Sequence, residues 1–362
     1  MTGKERVLLA IAHQEADRIP IYDSFWEETA KQYEQASGMS MIELHKKWGF
    51  DIFSLSMDNS MRMPASREDL GEWEIVNDRC GYTVKRRKGK ALMHYCNHVS
   101  NEKNWPDLKK RFILKQNEES RVETESFFLR TAKARPWEQV KRIIPEMAGT
   151  CFKLINFYGP FEATWRHYGF ENLLIGCLTD IDLINDMFKT VTDLTIEILE
   201  FATNNGFSFD GAWMFEDLGC TRGLLISRDI YRNLLFPHHK KIGDYLKMKN
   251  IKFFIHSCGD IREIITDFID AGIDVIQPLQ ANTSLRLPEL KKEFPGVTFF
   301  GNVEASKLAK SKEEIEKELR RAILSSKSKG GYIYHSDHSI PPDVSFSNYE
   351  FAISIIHELG RY

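Results

Sequence analysis

The chain predicts an α/β fold, a (β/α)8 (TIM) barrel with a β-hairpin and helical segment inserted after the second strand. Three observations carry this. Short apolar runs alternate with helical patterns in a steady rhythm through the C-terminal half. The helices announce their starts with capping side chains. No Gly-rich phosphate loop follows any candidate strand, which argues against an open doubly wound sheet. A parallel sheet needs a crossover for each connection, and eight such units close naturally into a barrel.

The first strand is read at Ile19 to Asp23 and the second at Asp51 to Leu55. Residues 58–135 then break the rhythm. Glu72-Trp73-Glu74-Ile75-Val76 and Tyr82-Thr83-Val84-Lys85 read as a hairpin, and the rest of the insertion reads as polar and helical. Strands resume at Phe152 to Phe157, Gly211 to Phe215, Phe253 to His256, Val275 to Gln277, Val297 to Phe300 and Tyr332 to His335. Asp260-Ile261-Arg262-Glu263, Ser311-Lys312-Glu313-Glu314 and Ser347-Asn348-Tyr349-Glu350 each set a capping side chain three residues before a glutamate, which satisfies the free amides of a first turn. Ile261, Ile264, Ile265, Phe268 and Ile269 then follow helical spacing, and Gly272 supplies a stop. No internal repeat or low-complexity linker appears, so one domain spanning 1–362 is expected.

Composition excludes several classes. The net charge is −3, and the basic stretch Lys85-Arg86-Arg87-Lys88 is short and broken by Gly89, so nothing points to nucleic acid. The opening residues are too polar and their apolar part too short for an export signal, and no apolar run reaches transmembrane length. The 6 cysteines are scattered without paired spacing, as reduced thiols of a cytoplasmic protein would be.

The chemistry-bearing residues fall at the strand C-terminal ends, the functional face of such a barrel. His256 and Cys258 lie two apart, and side chains at i and i+2 of an extended segment share a face, so imidazole and thiol can converge on one ion. Both are zinc ligand types, although a packed histidine beside a buried free cysteine gives the same pair. With His338 after the eighth strand they make a three-ligand set that leaves a fourth position open, the arrangement of a catalytic zinc, although His338 reads equally well as a histidine hydrogen-bonded beneath the final loop. Glu216 and Asp217 are adjacent, so only one can face the mouth. Glu216 is taken as the inward one because it shares a face with Met214, either as a displaceable fourth ligand or as an acid/base. Asp23 ends the first strand, Gln277 ends the sixth and Glu304 follows the seventh. Tyr158 lies in the aromatic turn Phe157-Tyr158-Gly159-Pro160-Phe161, and these four are taken as substrate-binding positions. Trp165-Arg166-His167-Tyr168 reads as helix packing, and His238-His239 as solvated or packed.

Three motifs, Asp217-Leu218-Gly219-Cys220-Thr221-Arg222-Gly223-Leu224-Leu225-Ile226-Ser227, His256-Ser257-Cys258-Gly259-Asp260 and His338-Ser339-Ile340-Pro341-Pro342-Asp343-Val344, resemble in order the uroporphyrinogen decarboxylase superfamily. The likeness covers nearly the whole chain. It implies a (β/α)8 barrel and one of two chemistries: metal-free decarboxylation of a porphyrinogen, or zinc-dependent methyl transfer with a corrinoid protein. Decarboxylases of the superfamily carry an N-terminal Arg-Gln-Ala-Gly-Arg-Tyr motif that holds the substrate carboxylates. This chain has Tyr22-Asp23-Ser24-Phe25-Trp26-Glu27-Glu28 there, and a polyanionic substrate would be repelled. The methyltransferases share the His-x-Cys pair. They usually place a cysteine where this chain has His338, which implies a His-Cys-His site. The resemblance therefore implies Zn2+ on His256, Cys258 and His338 with Glu216 beside them, a small methyl ether or other methyl donor, or a thiol acceptor, and a partner protein that supplies the corrinoid (cobalamin). A homodimer is compatible with it. Porphyrinogen decarboxylation is the alternative, and a non-enzymatic corrinoid- or metal-binding barrel is the third reading.

Overall fold

The computed structural model describes residues 1–90, 93–115, 119–124 and 134–362. Seven parallel strands run side by side in the order Tyr332–Ile333, Thr298–Phe300, Val275–Gln277, Lys252–His256, Gly211–Phe215, Phe152–Tyr158 and Ile52–Met57. Segment 19–23 closes the ring. Tyr334 N–H donates to Pro20 O at 2.9 Å on one side, and Asp51 N–H donates to Ile21 O at 2.8 Å on the other. The predicted barrel is therefore present, with all eight strands at their expected places.

Pairing register fixes which side chains fill the barrel. Asn156, Trp213, Phe254 and Val275 lie in register across four strands, and Tyr158, Phe215, His256 and Gln277 lie one layer nearer the strands' C-terminal ends. Trp213, Phe300 and Tyr22 meet within this interior. At the opposite end, buried Asp51 accepts hydrogen bonds from Arg18, from Arg6 at 3.1 Å and from Ile21 N–H at 2.7 Å, so its charge is fully paired.

Asp23, expected to touch substrate, is instead a closure residue. It is wholly buried and accepts from Ser336 N–H at 2.9 Å, Ser336 Oγ at 2.6 Å and Tyr349 Oη at 2.9 Å, which ties the first strand to the end of the last. Burial holds its carboxyl above the usual range.

The insertion differs from its prediction. The expected hairpin is the central pair, Trp73–Asn77 with Tyr82–Arg87, of a four-stranded antiparallel sheet. Ser66–Leu70 and Met93–His98 flank it where helix was expected. Ser66–Leu70 is exposed at every residue and Met93–His98 is polar, so neither carries the apolar alternation that marks a strand. A short helix, Trp105–Leu108, follows, while 91–92, 116–118 and 125–133 of the expected polar, helical run lie outside the described residues. The sheet is pinned to the barrel by charges: Glu28 accepts from Arg86 Nη2 at 3.1 Å, and Arg86 also pairs with buried Glu74.

Ser311 caps Lys312–Leu324 in the expected reciprocal box with Glu314. Ser345, two residues before the predicted Ser347, caps Phe346–Leu359. Asp260 supports Arg262 N–H at 3.2 Å without a box, because its other oxygen holds Ser284 and the chain enters through a 3-10 turn. No helix among the described residues is long and apolar enough to cross a membrane.

Candidate metal centre

His256 ends the fifth strand facing the barrel interior, and Cys258 follows where the backbone leaves it. Gly259 shapes that exit. It adopts φ +80°, and a Cβ there would lie 2.3 Å from Gly219 C, because loops 217–220 and 258–260 pack backbone on backbone. Asp260 N–H donates to Cys220 O at 2.8 Å across the seam. Gly259→Ala is expected to destabilise the protein by about 2–4 kcal/mol, read by chemical denaturation, since it strains the backbone and forces the loops apart.

Three ligand atoms converge, on Asp217, His256 and Cys258, all within 4.8 Å of one another. His256 Nε2 lies 3.4 Å from Cys258 Sγ and 3.3 Å from Asp217 Oδ1. Ligand atoms of a tetrahedral zinc at ordinary Zn–N, Zn–S and Zn–O lengths stand roughly 3.3–3.6 Å apart, so the donor types suit that ion and both spacings from His256 match it. Cys258 N–H donates to Asp217 Oδ1 at 2.8 Å, which holds the acid against the loop.

The second imidazole, His338, is exposed and lies outside the tight group of three. Each ring is oriented through its Nδ1. His256 Nδ1 is bonded to Gln277 Oε1, and His338 Nδ1 lies 3.3 Å from Asp337 Oδ1. Asp337 is itself fixed by Ala305 N–H at 2.9 Å and Ala281 N–H at 3.1 Å. An outer carboxylate or amide that fixes the ring and leaves the other nitrogen for an ion is the usual support of metal-bound histidine.

The residues of this group act strongly on one another. Burial opposes protonation of His256, but the sulfur of Cys258 and the carboxylate of Asp217 outweigh it and hold the ring well above the ordinary range. Asp337 and then Cys258 raise His338 to about 10. Burial works against Asp217 as an anion, yet His256 and the Cys258 amide pull its pKa down.

Glu216, expected inward as a ligand or acid/base, is not in the cluster. It shares a face with Met214, as predicted, but that is the outer face: Trp213 and Phe215 are the ones that meet His256. Its oxygens accept from Phe161 N–H at 3.0 Å, Glu162 N–H at 2.8 Å and His239 Nε2 at 2.9 Å. Asp217, the neighbour set aside, takes its place.

The other expected substrate contacts also resolve. Gln277 is buried, with its amide spent between His256 and His335, so it positions a ring rather than contacting substrate. Gln277→Leu is expected to weaken zinc binding by about 10–100-fold, measured by competition with a chromophoric chelator. Tyr158 is buried under the guanidinium of Arg166, which lies 3.9 Å from its ring centroid. Glu304 contacts Ser306 and, through its amide, Glu318. Trp165-Arg166-His167-Tyr168 is packed as predicted, with Arg166 bonded to Glu162 and stacked 4.6 Å from Trp165. His238 and His239 are both packed. Two supporting residues gave only weak signals: Asp217 by adjacency to Glu216, and Asp337 by preceding His338.

The sequence model described as uroporphyrinogen decarboxylase (URO-D) matches residues 98–359. The chain belongs to the uroporphyrinogen decarboxylase family. Among curated relatives, the uroporphyrinogen decarboxylase of Hydrogenobaculum sp. (strain Y04AAS1) is 26% identical over 140 residues, 37% of this chain and 38% of that one. That of Pelobacter propionicus is 25% identical over 183 residues, 50% of each. The matches thus span half or less of these relatives' length. Among solved structures, a methyltransferase from Methanosarcina mazei superposes with a TM-score of 0.67 at 15% identity, covering 99% of both chains, which shows a shared fold. The sequence model thus gives the family, and the solved structure gives the fold.

Proposed function

We propose that the chain is a corrinoid-dependent methyltransferase, passing a methyl group between a small methylated substrate or a thiol acceptor and a corrinoid held by a partner protein, with zinc on His256 and Cys258 and with Asp217 and His338 beside them. The observation that carries this reading is the convergence of Asp217, His256 and Cys258, with the His256 ring held at Nδ1 by Gln277. Bound there, the ion would supply Lewis acidity towards the heteroatom that carries or receives the methyl group. The chain's part is to bring His256 and Cys258 together beside Asp217, to hold the His256 ring through Gln277 and to present the site at the barrel mouth. Asp217 takes the place expected of Glu216, as the acid beside His256 and Cys258.

Porphyrinogen decarboxylation is the second reading, favoured by the names of the curated relatives. The acidic first loop weighs against it less than charge alone suggested. Glu27 meets Lys31 and Arg67, Glu28 meets Arg86, and Asp23 is buried, so these acids are already compensated. What still separates the readings is the lack of any arginine from Ile19 to Glu28 to grip substrate carboxylates. Two assays decide. Elemental analysis of protein purified without chelators should find about one zinc per chain, and methyl transfer to a reduced corrinoid protein should need it. Metal-free protein that converts uroporphyrinogen to coproporphyrinogen would overturn the proposal.

A further inference from the structure

Glu216 lies next to the metal-facing acid yet spends its carboxyl on the other side of the sheet. Its two oxygens accept the first free amides of Pro160–Tyr168, those of Phe161 and Glu162, and Oε1 also meets His239 Nε2 at 2.9 Å. His239 Nδ1 in turn lies 3.0 Å from Tyr231 Oη. All three side chains are fully buried. Tyr231 opens a π-helical segment, Tyr231–Leu235, a local widening that recurs near functional sites. Gly159 lets the strand end approach: a Cβ there would lie 2.3 Å from Glu216 Oε2.

A helix N-terminus is ordinarily capped by a serine, threonine or aspartate of its own N-cap residue. Here the cap comes from a different strand, from the residue joined by one peptide bond to Asp217, and is braced by a ring from a third element. The backbone at Glu216 is pinned as well, its N–H donating to His256 O at 2.8 Å. We propose that Tyr231, His239 and Glu216 form a positioning relay that sets the place of Asp217 in the metal centre. This rests on the metal reading above. Loss of the brace frees the strand end to shift and moves Asp217 away from His256, while the ligands on the fifth strand stay where they are.

Cobalt(II) is the probe, because its visible absorption reports ligand geometry and its titration gives affinity. His239→Leu removes the N–H that holds Glu216, and His239→Gln keeps a donor near the position of Nε2. With wild-type protein binding one cobalt, His239→Leu should weaken affinity about tenfold and change the absorption band, while His239→Gln stays within about threefold. A folded His239→Leu protein with wild-type affinity and band would overturn the relay. Should that variant fail to fold, Tyr231→Phe decides: a weaker site with a changed band supports the relay, and an unchanged site overturns it. Wild-type protein that binds neither cobalt nor zinc would instead overturn the metal reading itself, an outcome visible before any variant is made.

Discussion

Cys258→Ala should carry less than about a tenth of the wild-type zinc and lose methyl transfer by at least about 10³-fold in kcat/KM. The sulfur is one of the three donors that converge, and His256 Nε2 lies 3.4 Å from it. Removing it leaves a histidine and a carboxylate within bonding reach, with His338 still against Asp337. The fold should survive. Cys258 is only partly buried, its amide bond to Asp217 is kept in the variant, and truncation to alanine removes one atom. Metal content by elemental analysis, read beside an unchanged circular dichroism spectrum, checks both halves. Wild-type zinc content in the variant would sink the assignment of the site, whereas loss of metal with full retention of activity would sink the role of the metal in the reaction.

Some of this was legible in the sequence, for physical reasons. Strands of a closed parallel barrel are buried on both faces, so they read as short apolar runs between helical stretches, and all eight fell where those runs predicted. The same double burial hid the inward face. Ala212-Trp213-Met214-Phe215 has no polar alternation, and parity at Glu216 and Asp217 cannot be read from it. Only register decides, through Trp213 and Phe215 beside His256. His256 and Cys258 lie together because an i, i+2 spacing at a strand end requires it, whichever face is chosen. Gln277 was legible by place and not by role, since its amide reaches across to His256 and His335 on other strands. Asp23 looked like a mouth residue because it ends a strand. Its burial depends on Ser336 and Tyr349, more than three hundred positions away along the chain. The flanking strands of the insertion were invisible because their stability comes from pairing and charge, with little apolar burial.

His167→Phe should gain stability over wild type as the medium is acidified, by about 1.4 kcal/mol per pH unit below the ordinary histidine range, or roughly 3 kcal/mol between pH 6.5 and 4. His167 is 1% exposed, stacked on Trp105 with centroids 5.4 Å apart, and neither ring nitrogen has a hydrogen-bond partner. Burial, with a smaller push from His98, lowers its pKa from 6.5 to about 3. The sign follows directly. In the folded protein the ring stays neutral down to about pH 3, while in the unfolded chain it takes up a proton below pH 6.5. The unfolded state therefore binds more protons across that window, and the wild type loses stability as pH falls through it. Phenylalanine keeps the stack on Trp105 and Phe112, has no proton to take up and leaves no orphaned nitrogen, so at pH 8 it should be at least as stable as the wild type. Buried acids with raised pKa, Asp23 among them, contribute a slope of the opposite sign, but they are common to both proteins and cancel in the difference. Parallel stability curves from pH 8 to 4, by urea denaturation, would show that the ring is solvated or paired. The location gives the result a structural meaning. His167 O accepts Ser100 N–H at 2.8 Å, and a Cβ placed on Gly81, in a turn of the inserted sheet, would lie 3.4 Å from His167 Cβ, so the residue sits in the seam between barrel and insertion. Protonation there costs the seam its packing, and acid should loosen the inserted sheet before it opens the barrel, whose closing strands contain no such ring with both nitrogens orphaned among the described residues.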